Sequence, residues 1–84
     1  MTNDEILALI RDALAEVAPN RTADFTNIAF ETRIEALGLD SIATMEMVGF
    51  LEERTDNVFP DEELAKVQKI GDLAGLLRAG RISA

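Results

Sequence analysis

Ser41 is the residue of this chain whose type and position could support chemistry. Asp40 and Ser41 precede apolar residues at helical spacing, so either can be the N-cap, and Ser41 lies at the exposed start of a helix. A serine nucleophile needs a base nearby, yet the chain has no histidine and nothing marks Lys66 or Lys69 as a base. Ser41 is therefore either a plain cap or a hydroxyl activated by another enzyme. The helix N-terminus would favour a phosphate or phosphodiester on its oxygen.

The composition excludes several other chemistries. Without histidine the chain has no Ser-His-Asp triad, and without cysteine it has no disulfide, thiolate nucleophile or cysteine zinc site. The acid clusters Glu52-Glu53 and Asp61-Glu62-Glu63 do not follow the calcium-loop pattern, so no metal site is predicted. Because no acid–base pair has recognisable catalytic spacing, we expect no catalytic residues and no enzyme.

The charge of the chain indicates its kind of partner. Sixteen acidic residues against eight basic ones give 84 residues a net charge of −8. That charge repels phosphate backbones and anionic lipid, so we expect neither nucleic acid nor a membrane as partner. No apolar run approaches the roughly 20 residues of a membrane span, and the acidic start is unlike a signal peptide. We expect a cytoplasmic monomer that binds proteins with basic patches.

A helix and a long connection are predicted before Ser41. Thr2 and Glu5 have the spacing of a capping box, and Pro19-Asn20 ends the helix. Its apolar face comprises Ile6, Leu7, Ile10, Leu14 and Val17. Residues 20–40 are long for a connection in so small a domain, and spaced apolar residues predict that the segment is anchored to the core. These anchors are Phe25, Ile28, Phe30, Ile34 and Leu37.

The second half of the chain predicts further helices. A helical turn is expected near residues 32–37, followed by a turn at Gly38. The second helix begins at Asp40 or Ser41, ends near Glu53 and is broken by Asp56-Asn57. A short third helix over residues 61–67 follows Pro60, and a last helix carries Ile70, Leu73, Leu76 and Leu77, with Arg78 near its end and Gly80 as its stop. The expected fold is all-α, a small four-helix bundle with a long first loop and a short third helix, forming one domain over 1–84.

The second helix has an unusual exposed face. With Ser41 at 0° and about 100° per residue, the core side holds Ala43, Thr44, Met47, Val48, Phe50 and Leu51. The solvent side holds Ser41, Ile42, Met45, Glu46, Gly49, Glu52 and Glu53. Apolar residues surrounded by one sign of charge favour a docking surface. The alternative is a face that is acidic only because the whole chain is, and Gly49 reflects either drift or close approach of a partner.

The residues around Ser41 resemble those of the acyl carrier proteins. The resemblance rests on Leu37-Gly38-Leu39-Asp40-Ser41-Ile42, Met45-Glu46-Met47, Leu51-Glu52-Glu53 and Pro60-Asp61-Glu62-Glu63, and more loosely on Lys69-Ile70-Gly71-Asp72-Leu73. It implies 4′-phosphopantetheine on Ser41, installed from coenzyme A by a phosphopantetheinyl transferase, with Asp40 beside the attachment. The arm's thiol would hold acyl groups as thioesters for acyl-loading and acyl-processing enzymes with basic docking patches. The family's partner-reading helix corresponds to residues 41–53.

Some positions depart from what is usual in the family, and two of them depart from its fatty-acid pattern, Gly-Ala-Asp-Ser-Leu. Leu39 and Ile42 differ from it, Ala43 replaces a common acid, Arg33 stands where phenylalanine is usual, and Gly49 replaces a larger apolar residue. Leu39 and Ile42 resemble carriers of polyketide-type or other specialised acyl synthesis, so we expect such a carrier. Because the chain begins at a methionine and ends soon after the last helix, we expect it to be discrete. The alternatives are a carrier for fatty-acid synthesis or for aminoacyl or peptidyl groups, and, from another class, a helical interaction module without a prosthetic group.

Overall fold

Helix α1 (Asn3–Val17) begins at the predicted capping box in the computed structural model, which describes residues 2–79. The Thr2 N–H donates to Glu5 Oε1 at 2.7 Å, and the Glu5 N–H donates to Thr2 Oγ1 at 3.2 Å. The bond from the Thr2 backbone holds the pKa of Glu5 below its ordinary value. One face of α1 is buried, as its periodicity predicts: Ile6, Leu9, Ile10, Ala13 and Leu14.

The long connection contains two 3₁₀ helices, Pro19–Phe25 and Ile34–Leu37. The second agrees with the helical turn expected there. The first was not predicted, because its residues are mostly polar and show no apolar periodicity. The expected anchoring is confirmed by burial. Phe25, Ile28 and Leu37 are buried, and Phe30 and Ile34 pack half-buried against the core.

The connection is also bonded to the last helix, α4 (Ile70–Ala79). The Gly71 N–H donates to the Phe30 carbonyl at 2.7 Å, and the Ile70 N–H to the Thr32 carbonyl at 2.8 Å. Asp72 Oδ2 accepts from the N–H groups of Gln68 and Lys69, and these bonds hold the pKa of Asp72 below its ordinary value. Backbone hydrogen bonds to the connection and the carboxylate of Asp72 thus hold the start of α4 in place.

Two more helices complete the bundle. Helix α2 (Ser41–Thr55) continues past its expected end near Glu53 and stops at Asp56, whose left-handed φ of 57° breaks the helix as predicted. Helix α3 (Asp61–Leu64) is correctly placed after Pro60 but shorter than the predicted 61–67. The last helix is confirmed, while its predicted stop, Gly80, lies outside the described residues. Residues 2–79 contain no strand, only an isolated bridge between Arg33 and Lys69.

Helix α1 is at the centre of the packing. It contacts α2, the first 3₁₀ helix and α4. The buried residues of the described part of the chain are all apolar. Besides those of α1 and the connection they are Met47, Leu51, Phe59, Ile70, Leu73, Ala74 and Leu77. The predicted all-α bundle is confirmed. No helix in this part of the chain is long and apolar enough to cross a membrane.

Three helical glycines make a test of this packing. A Cβ on Gly49 or Gly75 would meet nothing within 4 Å, whereas one on Gly71 would lie 3.0 Å from the Phe30 carbonyl oxygen. We expect Gly49→Ala and Gly75→Ala each to raise the free energy of unfolding by roughly 0.5–1 kcal/mol, since alanine favours helix over glycine. Gly71→Ala should lower it, because the connection must move. Urea denaturation measures all three, and a destabilised Gly49→Ala variant would contradict the register of α2.

Candidate functional site

Asp40, and not Ser41, caps α2. The Asp40 Oδ1 accepts from the Ala43 N–H at 2.8 Å, and the Thr44 hydroxyl donates to the Asp40 carbonyl at 2.9 Å. Asp40 itself is extended, and Ser41 is the first helical residue, exposed to solvent. This resolves the choice of cap that the sequence left open. The Ser41 hydroxyl is therefore available for a role other than capping.

The surroundings of Ser41 suit a phosphodiester. Ser41 lies in the first turn of a 15-residue helix, where backbone N–H groups lack helical acceptors and the helix dipole favours negative charge. A phosphate on the Ser41 oxygen would lie at this helix terminus. The chain has no histidine, and the adjacent Asp40 carboxylate accepts the Ala43 N–H as the helix cap, so a docked enzyme would have to supply the base that deprotonates the Ser41 hydroxyl.

The exposed face of α2 largely agrees with its prediction. Ile42 is 69% exposed and Met45 73%, values far above those of core side chains. Glu46, Gly49 and Glu53 are also exposed. The next basic residue along the helix, Arg54, lies over the Phe50 ring at 4.7 Å from its centroid. The surface formed by Ile42, Met45, Glu46, Gly49 and Glu53, called here the α2 face, therefore combines apolar and acidic residues without a base.

Glu52 differs from its expected place on the solvent side. The residue is half-buried, and its Oε2 accepts from the Phe59 N–H at 2.7 Å. A bond from a backbone N–H to a carboxylate is charge-assisted and stronger than a neutral one. Glu52 thus connects α2 to the segment before α3 and holds Phe59 in the core. Helical angles alone could not reveal this bond, because its donor belongs to a segment of irregular backbone.

A cavity of about 280 Å³ lies between α2, α3 and α4 beside this bond. Most of its lining is apolar, and Thr44, Glu52 and Asp61 supply polar groups. The apolar side chains that line it are Ile34, Met45, Met47, Val48, Phe59, Leu64, Val67 and Leu73. Such a lining suits a hydrocarbon chain better than a charged ligand.

The acids of the described residues do not gather into a metal site. Between residues 2 and 79 no group of three acidic side chains is placed to hold an ion. Several carboxylates instead accept backbone N–H groups, as Asp40, Glu52 and Asp72 do. The site therefore consists of an exposed hydroxyl, a helix N-terminus and the apolar and acidic α2 face.

The family of this all-α bundle follows from its similarity to known proteins. Residues 4–77 match the family model described as "Phosphopantetheine attachment site". The acyl carrier protein of Exiguobacterium sp. is 32% identical over 77 residues, 92% of this chain and 95% of that protein. That of Clostridium acetobutylicum is 38% identical over 64 residues, 75% of this chain and 83% of that protein. No solved structure matches the chain significantly.

The chain belongs to the acyl carrier protein family. It is a non-catalytic carrier with covalently attached 4′-phosphopantetheine, and it interacts with a phosphopantetheinyl transferase and with acyl-processing enzymes. The interaction module without a prosthetic group is thereby set aside.

The bond between Glu52 and Phe59 can be tested by comparison with the neighbouring acid. We expect Glu52→Ala to lower the free energy of unfolding by about 1–2 kcal/mol, because the Phe59 N–H then loses its acceptor in a partly buried place. Glu53→Ala makes the same change of side chain at an exposed position and should stay within about 0.5 kcal/mol of wild type. Equal effects of the two variants, measured by urea denaturation, would show that the bond contributes nothing.

Proposed function

We propose that Ser41 carries the 4′-phosphopantetheine. Ser41 is the only serine between residues 4 and 77, the span that matches the family model. Its exposure at the start of α2, with Asp40 acting as the cap, supports the same assignment. The Ser41 oxygen would attack the phosphorus nearest the pantetheine in coenzyme A, forming a phosphodiester while the pyrophosphate bond breaks and adenosine 3′,5′-bisphosphate leaves. The thiol at the end of the arm then supplies the group that a chain without cysteine lacks.

Mass spectrometry tests this assignment. Wild type, Ser41→Ala and Ser83→Ala are incubated with coenzyme A, magnesium and a promiscuous phosphopantetheinyl transferase. Ser83 is the only other serine of the chain and lies outside the matched span. We expect wild type and Ser83→Ala each to gain one phosphopantetheine group and Ser41→Ala to gain none. A modified Ser41→Ala protein would contradict the assignment.

The cargo is proposed to be an acyl group of polyketide-type or other specialised synthesis. Leu39 and Ile42 depart from the fatty-acid pattern around the serine, and the apolar cavity beside α2 offers space for part of a chain. Fatty-acid synthesis and aminoacyl or peptidyl transfer are the alternatives. The mass of the thioester-bound group on protein isolated from its native cells separates the three.

The α2 face is proposed as the docking surface for partner enzymes with basic patches. Ile42 and Met45 form its apolar part, Glu46 and Glu53 its acidic part, and exposed Gly49 lets a partner approach the backbone. Glu52 was also predicted to lie on this surface, but its carboxylate accepts the Phe59 N–H, so its main contribution is to the fold. Large exposed apolar side chains among residues 2–79 are few, Ile42, Met45 and Val58. This favours a monomer that binds partners transiently.

Charge reversal tests the docking surface. We expect Glu46→Lys and Glu53→Lys each to raise the KM for the transferase by about three- to tenfold at low salt, because they place like charge against a basic patch. Folding stability should change little, since both side chains are exposed. Glu16→Lys on the exposed side of α1 makes the same change of net charge elsewhere. An equal effect of Glu16→Lys would show that net charge, and not the α2 face, governs the encounter.

A further inference from the structure

The Arg21 guanidinium joins the start of the long connection to its end. Its Nη2 donates to the Leu37 carbonyl at 2.7 Å and its Nη1 to the Gly38 carbonyl at 3.3 Å. Its Nε donates to Asp24 Oδ2 at 3.1 Å, and the group lies 5.3 Å from the centroid of the Phe25 ring. All three nitrogens therefore have acceptors, and the head group is held on a buried aromatic side chain.

The carbonyls that Arg21 contacts immediately precede Ser41. Only Leu39 and Asp40 separate Gly38 from the first residue of α2. Gly38 has a φ of 71°, in the left-handed region that favours glycine, and a Cβ there would lie 3.1 Å from Arg21 Nη2. The Arg21 guanidinium therefore lies against Gly38, where the backbone adopts the left-handed conformation.

We propose that Arg21 is a positioning residue for the modification of Ser41. It holds the backbone of residues 37–38 in one conformation, so that a partner docked on the α2 face meets the Ser41 hydroxyl in a single orientation. The inference rests on the proposed attachment at Ser41. Its chemical basis is the rigid fork of the guanidinium, which bonds two successive carbonyls at once, whereas a lysine ammonium is a point donor without that geometry.

This role differs from a contribution through charge. Arg33 is the matched control, because it is a basic residue of the same connection. Its exposed side chain pairs with Glu35 at 3.5 Å. Replacing either arginine by alanine makes the net charge more negative by one unit. Only the Arg21 side chain, however, bonds the segment that leads into α2.

The experiment compares wild type, Arg21→Ala, Arg21→Lys and Arg33→Ala as substrates of one phosphopantetheinyl transferase, at a temperature where circular dichroism shows each variant folded. We expect kcat of Arg21→Ala to fall about tenfold, since loss of orientation slows the step that follows docking. Its KM should stay within about twofold of wild type, because the α2 face is unchanged. Arg21→Lys should recover only part of the loss, and Arg33→Ala should match wild type.

Amide hydrogen exchange provides a readout that does not depend on the transferase. The Gly38 amide bonds the Glu35 carbonyl just before α2, and the amides of Ala43 and Thr44 bond Asp40 at its start. In Arg21→Ala we expect all three to exchange about tenfold faster. The Leu51 amide, in the later turns of α2, should keep its wild-type rate. Faster exchange at Leu51 too would indicate general destabilisation and overturn the positioning role.

The kinetic outcomes also separate this inference from the attachment proposal. If the wild-type protein is modified at Ser41 and the Arg21→Ala variant has the same kcat, the positioning role of Arg21 is overturned and the attachment at Ser41 is not. A fall in rate that Arg33→Ala reproduces, or that Arg21→Lys restores completely, would also overturn it, because charge would then suffice. Wild type left unmodified at Ser41 would instead contradict the attachment itself.

Discussion

Burial of the apolar face of α1 is the interaction on which the other elements depend. The face includes Ile6, Ile10 and Leu14, all with no exposed surface, and α2, the first 3₁₀ helix and α4 all pack against α1. A chain of 84 residues has room for one core only. Each of these elements therefore packs its apolar side against α1, and its opposite side faces solvent, where partners can bind. The Ser41 hydroxyl and the α2 face accordingly lie on the outer surface of the bundle.

The long connection shows how much ordering such a site requires. If the backbone before α2 were disordered, ordering it on binding would reduce the binding free energy of a docking enzyme. Here that ordering is achieved within the chain. Phe25, Ile28 and Leu37 anchor the connection in the core, and its backbone also bonds to the start of α4 through Gly71. The connection behaves as an ordered part of the bundle although little of it is α-helix.

Local patterns in the sequence predict the helices and the site, and long-range contacts account for the errors. The capping box at Thr2 and the start of α2 were predictable because they depend on residues a few positions apart. The bond from the Phe59 N–H to Glu52 was not, since it joins a helix to an irregular segment. The same holds for Arg21, which lies in a polar run that resembles a solvated loop. Its acceptors, 16 and 17 residues away, leave no periodic signal.

Among the acids of the chain, two kinds have roles that net charge cannot distinguish. Asp40, Glu52 and Asp72 accept backbone N–H groups and hold helix ends or connections, whereas Glu46 and Glu53 extend into solvent. The division matters most at Asp40 and Ser41, where either side chain could cap the helix. Because aspartate takes that role, the serine hydroxyl stays exposed in the first turn, where the helix dipole favours a phosphodiester. Two adjacent residues thus share the helix terminus, one stabilising the fold and the other available for modification.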